Sequence, residues 1–331
     1  MIVTLTANPS VDRTVTLTGP LRRGQVHRAA GVTAQPGGKG VNVARVVAAG
    51  GAPVVAVLPG AEDDPVVHGL RTAGIGFRTV PVPGEPRINL TIAETDGTTT
   101  KINAPGRPLT GRELAELTAV LVELAAGADW IVLSGSLPPA VPVDWYAELV
   151  ARLSPLGASA NGATRTRIAV DTSDAPLLAL FAESVGVAPD LIKPNAEELA
   201  QLTGLDPVDL DDPVAAAVAA ARLVDRGVGA VLATLGAAGA VLVTAEDAWF
   251  AAAPPIVPRS TVGAGDSALA GYLLADAAGA GPADRLRAAV AYGSAATALP
   301  GTELPGPADV DLDAVTARPL RTASDRPPGS A

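Results

Sequence analysis

The sequence predicts an α/β fold, in which a doubly wound, mostly parallel sheet carries a small β-sheet as a lid. From residue 110 onward, short apolar runs rich in β-branched residues alternate with longer runs of helical periodicity. Such alternation is typical of a parallel sheet covered by helices on both faces. Two earlier strand pairs, within residues 12–34 and 87–103, have hairpin patterns that do not fit this alternation. We assign both pairs to the lid.

The individual elements follow from local patterns. Alternating residues predict lid strands at residues 13–17, 25–34, 87–94 and 98–103. Apolar runs predict core strands at 1–6, 53–58, 76–81, 130–134, 168–171, 191–193 and 230–235, and a hairpin at 241–244 and 248–252. Helical periodicity predicts helices ending near residue 49 and at 65–73, 110–126, 143–153, 176–182, 213–226, 267–278 and 282–299, and one that begins after Asn195.

We expect residues 1–318 to form one domain. Residues 154–166 are rich in Ala, Gly, Asn and Thr, which favours a surface insertion. Residues 319–331 are polar and rich in Pro, Gly and Ser, so we expect a disordered tail.

Composition excludes several classes of function. The net charge of −10 and the absence of a long basic run argue against nucleic acid or an anionic membrane as a partner. The chain has no cysteine and two distant histidines, which excludes thiolate chemistry and argues against a histidine metal site. We see no signal peptide and no span of membrane length, so we expect a soluble, cytoplasmic protein.

One stretch indicates phosphoryl transfer. Gly263, Ala264 and Gly265 lie at the predicted start of a helix, where free backbone N–H groups and the helix dipole favour an anion. Asp266 lies beside that position and can accept a hydroxyl proton. An acidic residue in a first helical turn is also common without any catalytic role, and this stretch alone does not separate the two interpretations.

Other polar residues follow the carboxyl ends of the predicted strands, where ligands bind in open α/β sheets. They include Asp12, Ser134–Ser136, Lys193–Asn195 and the glycine turn at 236–239. Asn195 and Glu198 have the spacing of a capping box, and they could also hold the waters of a Mg²⁺ ion. The turn Gly37-Gly-Lys-Gly40 matches neither a Walker A loop nor a dinucleotide fingerprint, which argues against an NAD-binding protein.

Two longer motifs resemble signatures of the ribokinase-like (PfkB) carbohydrate kinases. They are Pro36-Gly-Gly-Lys-Gly-Val-Asn-Val-Ala-Arg45 and Thr261-Val-Gly-Ala-Gly-Asp-Ser-Ala268, with Lys193-Pro-Asn195 between them. The segments Thr4-Leu-Thr-Ala-Asn-Pro-Ser-Val-Asp-Arg13 and Ser134-Gly-Ser-Leu-Pro-Pro139 are similar to the branch that phosphorylates hexose phosphates. This branch usually has glycine where Ala140 and Asp174 stand.

The resemblance implies roles for individual residues. Asp266 would be the base, and the backbone of Gly263, Ala264 and Gly265 would form an anion hole with it. The sugar phosphate would contact Asp12, Gly38, Lys39, Asn42, Arg87, Lys101, Ser136 and Arg28. ATP would contact Lys193, Asn195, Thr234, Gly236 and Gly239, while Glu198 and Asn195 would hold Mg²⁺ through water. The lid would pair two subunits into a homodimer.

The resemblance implies ATP-dependent phosphorylation of fructose 1-phosphate to fructose 1,6-bisphosphate. Tagatose 6-phosphate and fructose 6-phosphate are alternative acceptors, and a catalytically silent sugar-phosphate sensor is an alternative of another class. The lid residues favour a phosphorylated acceptor, because Arg87 and Lys101 on neighbouring strands suit a phosphate group. A solvated strand face would show the same pattern.

Overall fold

The computed structural model describes residues 1–157, 165–182 and 186–320. Its strands are β1 (Ile2–Thr6), β2 (Ser10–Leu17), β3 (Ala29–Gly37), β4 (Val54–Pro59), β5 (Gly76–Val80), β6 (Arg87–Ala93), β7 (Thr99–Asn103), β8 (Trp130–Ser134), β9 (Arg167–Asp171), β10 (Leu191–Ile192), β11 (Ala230–Thr234), β12 (Ala240–Thr244), β13 (Ala248–Ala251) and β14 (Ala317–Pro319). Its helices are α1 (Lys39–Ala49), α2 (Pro65–Thr72), α3 (Gly111–Ala125), α4 (Trp145–Leu153), α5 (Asp174–Ala179), α6 (Ala196–Thr203), α7 (Pro213–Val224), α8 (Ala264–Ala277) and α9 (Pro282–Ala298).

The large sheet has the strand order β14-β13-β12-β11-β10-β9-β8-β1-β4-β5. The strands from β11 to β5 in this order are parallel, and β12, β13 and β14 are antiparallel at one edge. Thr6, Ser134 and Asp171 are in register at the carboxyl ends of adjacent strands. The polar residues that follow these strands therefore meet at one edge of the sheet, as the sequence predicts.

Helices cover both faces of this sheet. One apolar cluster includes residues of α3, α4, α6 and α7, and the opposite face packs mainly on α1, α8 and α9. Helix α8 is buried along most of its length, which agrees with its nearly uniform apolar composition. Near its end, the buried Asp276 accepts hydrogen bonds from the Trp130 indole and the Arg167 guanidinium and lies 3.0 Å from Arg285. This network fixes the end of α8 opposite to Asp266.

The lid is a four-stranded sheet with the order β3-β2-β6-β7. Strands β2 and β6 are parallel, so the two predicted hairpins are joined side by side. Thr91 pairs with Lys101, and Asn89 pairs with both Asp12 and Asn103. One face of the lid is therefore polar, as its alternation predicts.

The structure differs from the predicted elements in a few places. The apolar run alone predicts that α8 begins at residue 267, but the helix begins at Ala264, and Gly263 is its N-cap with a left-handed φ of 76°. Strand β14 is too short to show a period in the sequence, and we did not predict it. Residues 158–164 of the predicted insertion and residues 321–331 of the predicted tail lie outside the described residues. No helix in the described part of the chain is long and apolar enough to cross a membrane.

Candidate active site

The predicted base lies in the first turn of α8. Asp266 is buried, with 6% of its surface exposed, and its carboxylate accepts a hydrogen bond of 2.8 Å from Asn42 Nδ2. Asn42 belongs to α1, so two helices from distant parts of the sequence meet at this carboxylate. Gly263, Ala264 and Gly265 precede Asp266 at the helix N-terminus, where backbone N–H groups lack partners within the helix.

Two lysines lie beside this turn. A side chain on Gly265 would place its Cβ only 3.0 Å from Lys193 Nζ, so glycine allows the lysine to approach the helix N-terminus. The Nζ atoms of Lys39 and Lys193 lie 2.9 Å and 3.4 Å from the same oxygen, Asp171 Oδ1. The site therefore combines two ammonium groups with the backbone of a helix N-terminus, which suits a phosphoryl group.

Asp171 was not predicted as a site residue. It ends strand β9 and is buried, with 1% of its surface exposed. Its second oxygen, Oδ2, is also buried and has no hydrogen-bond partner among the described residues. A carboxylate at the end of a parallel strand, next to the predicted crevice, is the signal that could have identified it.

The carboxylates and lysines change one another's pKa values. Burial raises the pKa of Asp266 to about 6, and the charge of Asp171 adds to this rise. Burial would also raise the pKa of Asp171, but the ammonium groups of Lys193 and Lys39 lower it below its ordinary value. Burial opposes the charge on Lys39, yet the nearby carboxylates raise its pKa. Lys39 therefore stays charged, and the pKa of Asp266 lies well above that of an ordinary aspartate.

Asn195 and Glu198 form the predicted capping box. Asn195 Oδ1 accepts from the backbone N–H of Glu198, and Glu198 Oε2 accepts from the backbone N–H of Asn195, at 2.8 Å and 2.9 Å. The capping box uses one oxygen of Glu198, and burial raises the pKa of this carboxyl. Within the described residues, no group of three or more His, Asp or Glu side chains could hold a metal. The Glu198 oxygen that the capping box does not use fits a Mg²⁺ ion held through water.

The remaining predicted ATP residues lie at the next strand. Thr234 ends β11 and forms an isolated bridge with Asn195. Gly236 and Gly239 flank the short turn between β11 and β12. This turn and Lys193 belong to neighbouring strands of the same sheet edge.

The lid contributes Asp12 and Arg87. Asp12 Oδ1 accepts hydrogen bonds from Ser10 Oγ at 2.7 Å and from Asn89 Nδ2 at 3.0 Å. Arg87 Nη1 donates to the backbone oxygen of Ala104, while its buried Nε has no partner among the described residues. Burial lowers the pKa of the Arg87 guanidinium.

A cleft of about 460 Å³ lies beside the start of lid strand β6, against the loop that follows β8. Its lining includes Arg87, Ser136 and Ala140. Ser136 Oγ also accepts a hydrogen bond of 3.3 Å from Asn8 Nδ2, whose other bond goes to Pro105.

The other predicted sugar-phosphate residues are more scattered. Gly38 caps helix α1, and Lys39 follows it. Lys101 is exposed on β7, and Arg28 is exposed just before β3. The structure thus joins Asp266, Asn42 and Lys39 in one charged cluster. Within the described residues, no side-chain hydrogen bond connects Lys101 or Arg28 to it.

Comparison with known proteins shows the family. Residues 5–309 match the pfkB family carbohydrate kinases. The chain belongs to this family. It is 37% identical over 276 residues to a 1-phosphofructokinase of Xanthomonas campestris pv. campestris, covering 82% of this chain and 83% of the relative. It is 34% identical to the ATP-dependent 6-phosphofructokinase isozyme 2 of Escherichia coli, covering 92% and 94%.

A solved structure supports the same conclusion. The crystal structure of phosphofructokinase-2 from Escherichia coli in complex with substrates and products has a TM-score of 0.83 and 32% identity, covering 93% of this chain and 96% of that one. The family and fold class predicted from the sequence are confirmed, and so is the prediction of a carbohydrate kinase.

Proposed function

We propose that this carbohydrate kinase transfers the γ-phosphoryl group of ATP to fructose 1-phosphate and forms fructose 1,6-bisphosphate. The observation that carries the proposal is the buried Asp266 carboxylate in the first turn of α8, with Lys193 against the adjacent Gly265. Phosphoryl transfer requires a base that accepts the hydroxyl proton and donors that stabilise the transferred group. Asp266 can supply the first, and the unpaired backbone N–H groups of the helix N-terminus can supply the second. A sensor that only binds a sugar phosphate does not need this base.

The reaction follows from the positions of these groups. Asp266 accepts the proton of the acceptor hydroxyl while that oxygen forms a bond to the γ-phosphorus. The bond between the γ-phosphorus and the bridging oxygen breaks, and ADP leaves with that oxygen. The backbone N–H groups at Gly263, Ala264 and Gly265 stabilise the charge on the transferred group, and Lys193 adds a positive charge there.

The acceptor lies between the large sheet and the lid in this proposal. Asp12, Gly38 and Asn42 hold its hydroxyl groups. Its phosphate is bound by Arg87 and Ser136, which line the cleft, together with Lys39, Lys101 and Arg28. The unpaired Nε of Arg87 supports this role, because a buried guanidinium N–H without a partner is costly until an acceptor reaches it.

ATP is the co-substrate of the family, and we assign its phosphates to the edge formed by Lys193, Asn195 and the turn between Thr234 and Gly239. Glu198 and Asn195 would hold a Mg²⁺ ion through water, and Asp171 lies near enough to Glu198 to influence its pKa. Bound Mg²⁺ would neutralise the phosphate oxygens of ATP. Because ATP and sugar phosphates are metabolites of the cytoplasm, we include a cytoplasmic location in the proposal.

A homodimer through the lid is the second part of the proposal. The outer face of the lid carries exposed apolar side chains opposite its polar face. Val32 and Ile102 expose 58% and 56% of their surfaces, and Ile88 exposes 40%. Neighbouring apolar side chains on a sheet face are typical of a surface that pairs with another chain. Sedimentation of wild type and of Ile102→Asp tests this, and a wild-type monomer would refute it.

Fructose 6-phosphate is the second candidate acceptor, because a relative 34% identical to this chain is named a 6-phosphofructokinase. A coupled assay of ADP release with Mg·ATP tests both candidates. The acceptors are fructose 1-phosphate, fructose 6-phosphate, tagatose 6-phosphate, ribose and adenosine. We expect the highest kcat/KM with fructose 1-phosphate. Turnover of ribose or adenosine alone would refute the phosphate site, and tight sugar-phosphate binding with no turnover of any acceptor would favour the sensor.

A further inference from the structure

Arg45 lies on α1, three residues after Asn42, and has no role in the proposed reaction. Residues three apart lie on the same side of a helix, so Arg45 is close to the face that carries Asn42. Its guanidinium does not enter the charged cluster around Asp266. Instead, Nη2 donates to Gln35 Oε1 at 2.8 Å and Nη1 donates to the backbone oxygen of Pro36 at 3.2 Å. Both acceptors belong to the end of lid strand β3.

These bonds lead directly to the substrate-facing side of the lid. Gln35 is paired with Asp12 across β3 and β2, so their side chains share a face of the sheet. Asp12 is in turn bonded to Asn89 of β6. A side chain on Gly69 of α2 would come within 2.7 Å of Pro36, so the end of β3 is enclosed by α2 and Arg45. Arg45 is therefore a direct bridge between the helix that contacts the base and the lid.

The charge of Arg45 is also unusual for a purely structural contact. Both of its hydrogen-bond acceptors are neutral, and burial lowers its pKa. The charge that opposes this effect is that of Asp12, the residue proposed to hold sugar hydroxyls. Partial burial of a guanidinium against neutral acceptors costs free energy, because the charge is removed from water without a carboxylate partner. The forked guanidinium is, however, suited to holding two acceptors in a fixed geometry.

We propose that Arg45 is a positioning residue, which fixes β3 and thereby Asp12 relative to helix α1 and the base Asp266. The kinetic consequence rests on the proposed function. With Arg45 in place, the lid binds the acceptor at the distance that transfer requires. Without it, β3 keeps its strand pairing and its covalent link to α1 through Gly38 but loses the side-chain bonds that fix the angle between them, so acceptor binding weakens more than ATP binding.

Kinetics of Arg45→Met and Arg45→Lys test the proposal. We expect Arg45→Met to raise KM for fructose 1-phosphate about 10-fold, a figure based on the loss of charge-assisted hydrogen bonds, with KM for ATP changed less than about 2-fold. Arg45→Lys keeps one donor group and should recover part of this loss. In an Arg45→Met background, Gln35→Ala should add little, because the two side chains form one contact.

Arg226→Met is the matched control. Arg226 also donates to a backbone oxygen, that of Phe181, and lies over its ring, but it is far along the chain from the lid and the base. We expect this control to leave both KM values unchanged. Equal rises of both KM values in Arg45→Met, or no rise for the acceptor, would overturn the proposal.

Amide hydrogen exchange gives a second readout that does not depend on catalysis. Arg45→Met should speed amide exchange in β2 and β3 about 10-fold, because the loss of contact free energy that raises KM also favours local opening of these strands. Strands β8 and β9 should keep their wild-type exchange rates. A uniform increase over the whole chain would overturn the proposal, as would unchanged exchange in the lid. If the wild type phosphorylates no sugar phosphate, the proposed function fails, and exchange alone decides the role of Arg45. If Arg45→Met does not fold, Arg45→Lys is measured in both assays.

Discussion

The transfer region and the lid hold their charges in opposite ways. In the transfer region, Lys39 and Lys193 share one carboxylate oxygen of Asp171, and Asp266 is bonded to Asn42. On the lid, Arg87 has a buried donor without a partner in the described residues, and Lys101 is exposed. In the first region the lysines and Asp171 stabilise one another's charges, whereas in the proposed function the cations of the second region bind the ligand.

The difference follows from where the residues are attached. The transfer residues lie at the carboxyl ends of parallel strands and at the start of the buried helix α8, which the sheet and its helices hold rigidly. The lid residues lie on a separate four-stranded sheet. We therefore expect substitutions in the transfer region to change turnover and pH dependence, and substitutions on the lid to change acceptor binding.

Asp266→Asn should have the largest effect among the substitutions that test this division between turnover and acceptor binding. Asparagine can keep the contact with Asn42 after an amide rotation, but it cannot accept the hydroxyl proton. We expect kcat to fall by at least the ~10²–10⁴-fold that is typical of the loss of a general base. Binding of fructose 1-phosphate, measured by calorimetry, should change little. A variant that keeps its turnover would remove Asp266 from the mechanism.

Arg87→Met tests the lid. Loss of this guanidinium should weaken acceptor binding by about 2–3 kcal/mol, since hydrogen bonds to charged groups are worth that much. The measured effect should be a rise in KM for the sugar phosphate, with kcat nearly unchanged. Lys101→Met is a useful companion, because an exposed lysine should contribute less. If Arg87→Met lowers kcat and leaves KM unchanged, the division between the two regions is wrong.

Asp171→Asn changes the electrostatics of the transfer region. Activity should fall as the pH drops through about 6, because Asp266 then becomes protonated and cannot act as base. The charge of Asp171 raises the pKa of Asp266, so its removal should move this acid limb to lower pH. The amide oxygen of asparagine can still accept from the lysines, but their shared partner loses its negative charge, and we expect kcat at pH 8 to fall about 10-fold, as for a lost charge-assisted bond.

The pH profile of kcat checks this prediction. Asp276→Asn is the control, since Asp276 is also a buried carboxylate with cationic partners but lies at the other end of α8. It should lower stability and leave the acid limb in place. An acid limb that stays at the wild-type pH in Asp171→Asn would show that Asp171 does not influence the base.

Most of this fold could be predicted from the sequence. The alternation of strands and helices specified the parallel sheet, and the period of the two hairpins identified the lid and its polar face. The glycine turn before Asp266 identified the helix N-terminus, although apolar periodicity placed its start too late. Local patterns succeed here because each of these features depends on neighbouring residues.

Contacts between distant residues could not be predicted in the same way. Asp171 ends a strand like many other polar residues, and only its distances to Lys39 and Lys193 distinguish it. The bond between Arg45 and Gln35 joins residues only ten apart, but it depends on how the chain turns between β3 and α1, which the sequence pattern does not specify. The resemblance stated from the sequence implies glycine at the positions of Ala140 and Asp174. In the structure these two are the non-glycine residues with positive φ, at 68° and 57°, within the described part of the chain.

Substitutions of these two residues should have the smallest effects, and these effects are on the free energy of unfolding. Ala140 tests the cleft beside the lid, and Asp174 tests the transfer region. Ala140 lines the cleft beside Arg87, and Asp174 begins the helix after the strand that carries Asp171. A left-handed conformation costs alanine about 1–2 kcal/mol, and glycine at this position would remove that cost. Part of the gain is offset because glycine has greater conformational freedom in the unfolded chain. We therefore expect Ala140→Gly to raise the free energy of unfolding by about 0.5–1 kcal/mol, measured in urea.

The matched control is Ala119→Gly, at an exposed position inside helix α3, which should lower the free energy of unfolding by about 1 kcal/mol. Asp174→Gly should gain less than Ala140→Gly. Aspartate tolerates the left-handed region better than alanine does, and the negative charge of Asp174 in the first turn of α5 interacts favourably with the helix dipole. If Ala140→Gly and Ala119→Gly destabilise the protein equally, the cleft loop carries no backbone strain. A gain at Ala140 with an unchanged KM would show that this strain is separate from acceptor binding.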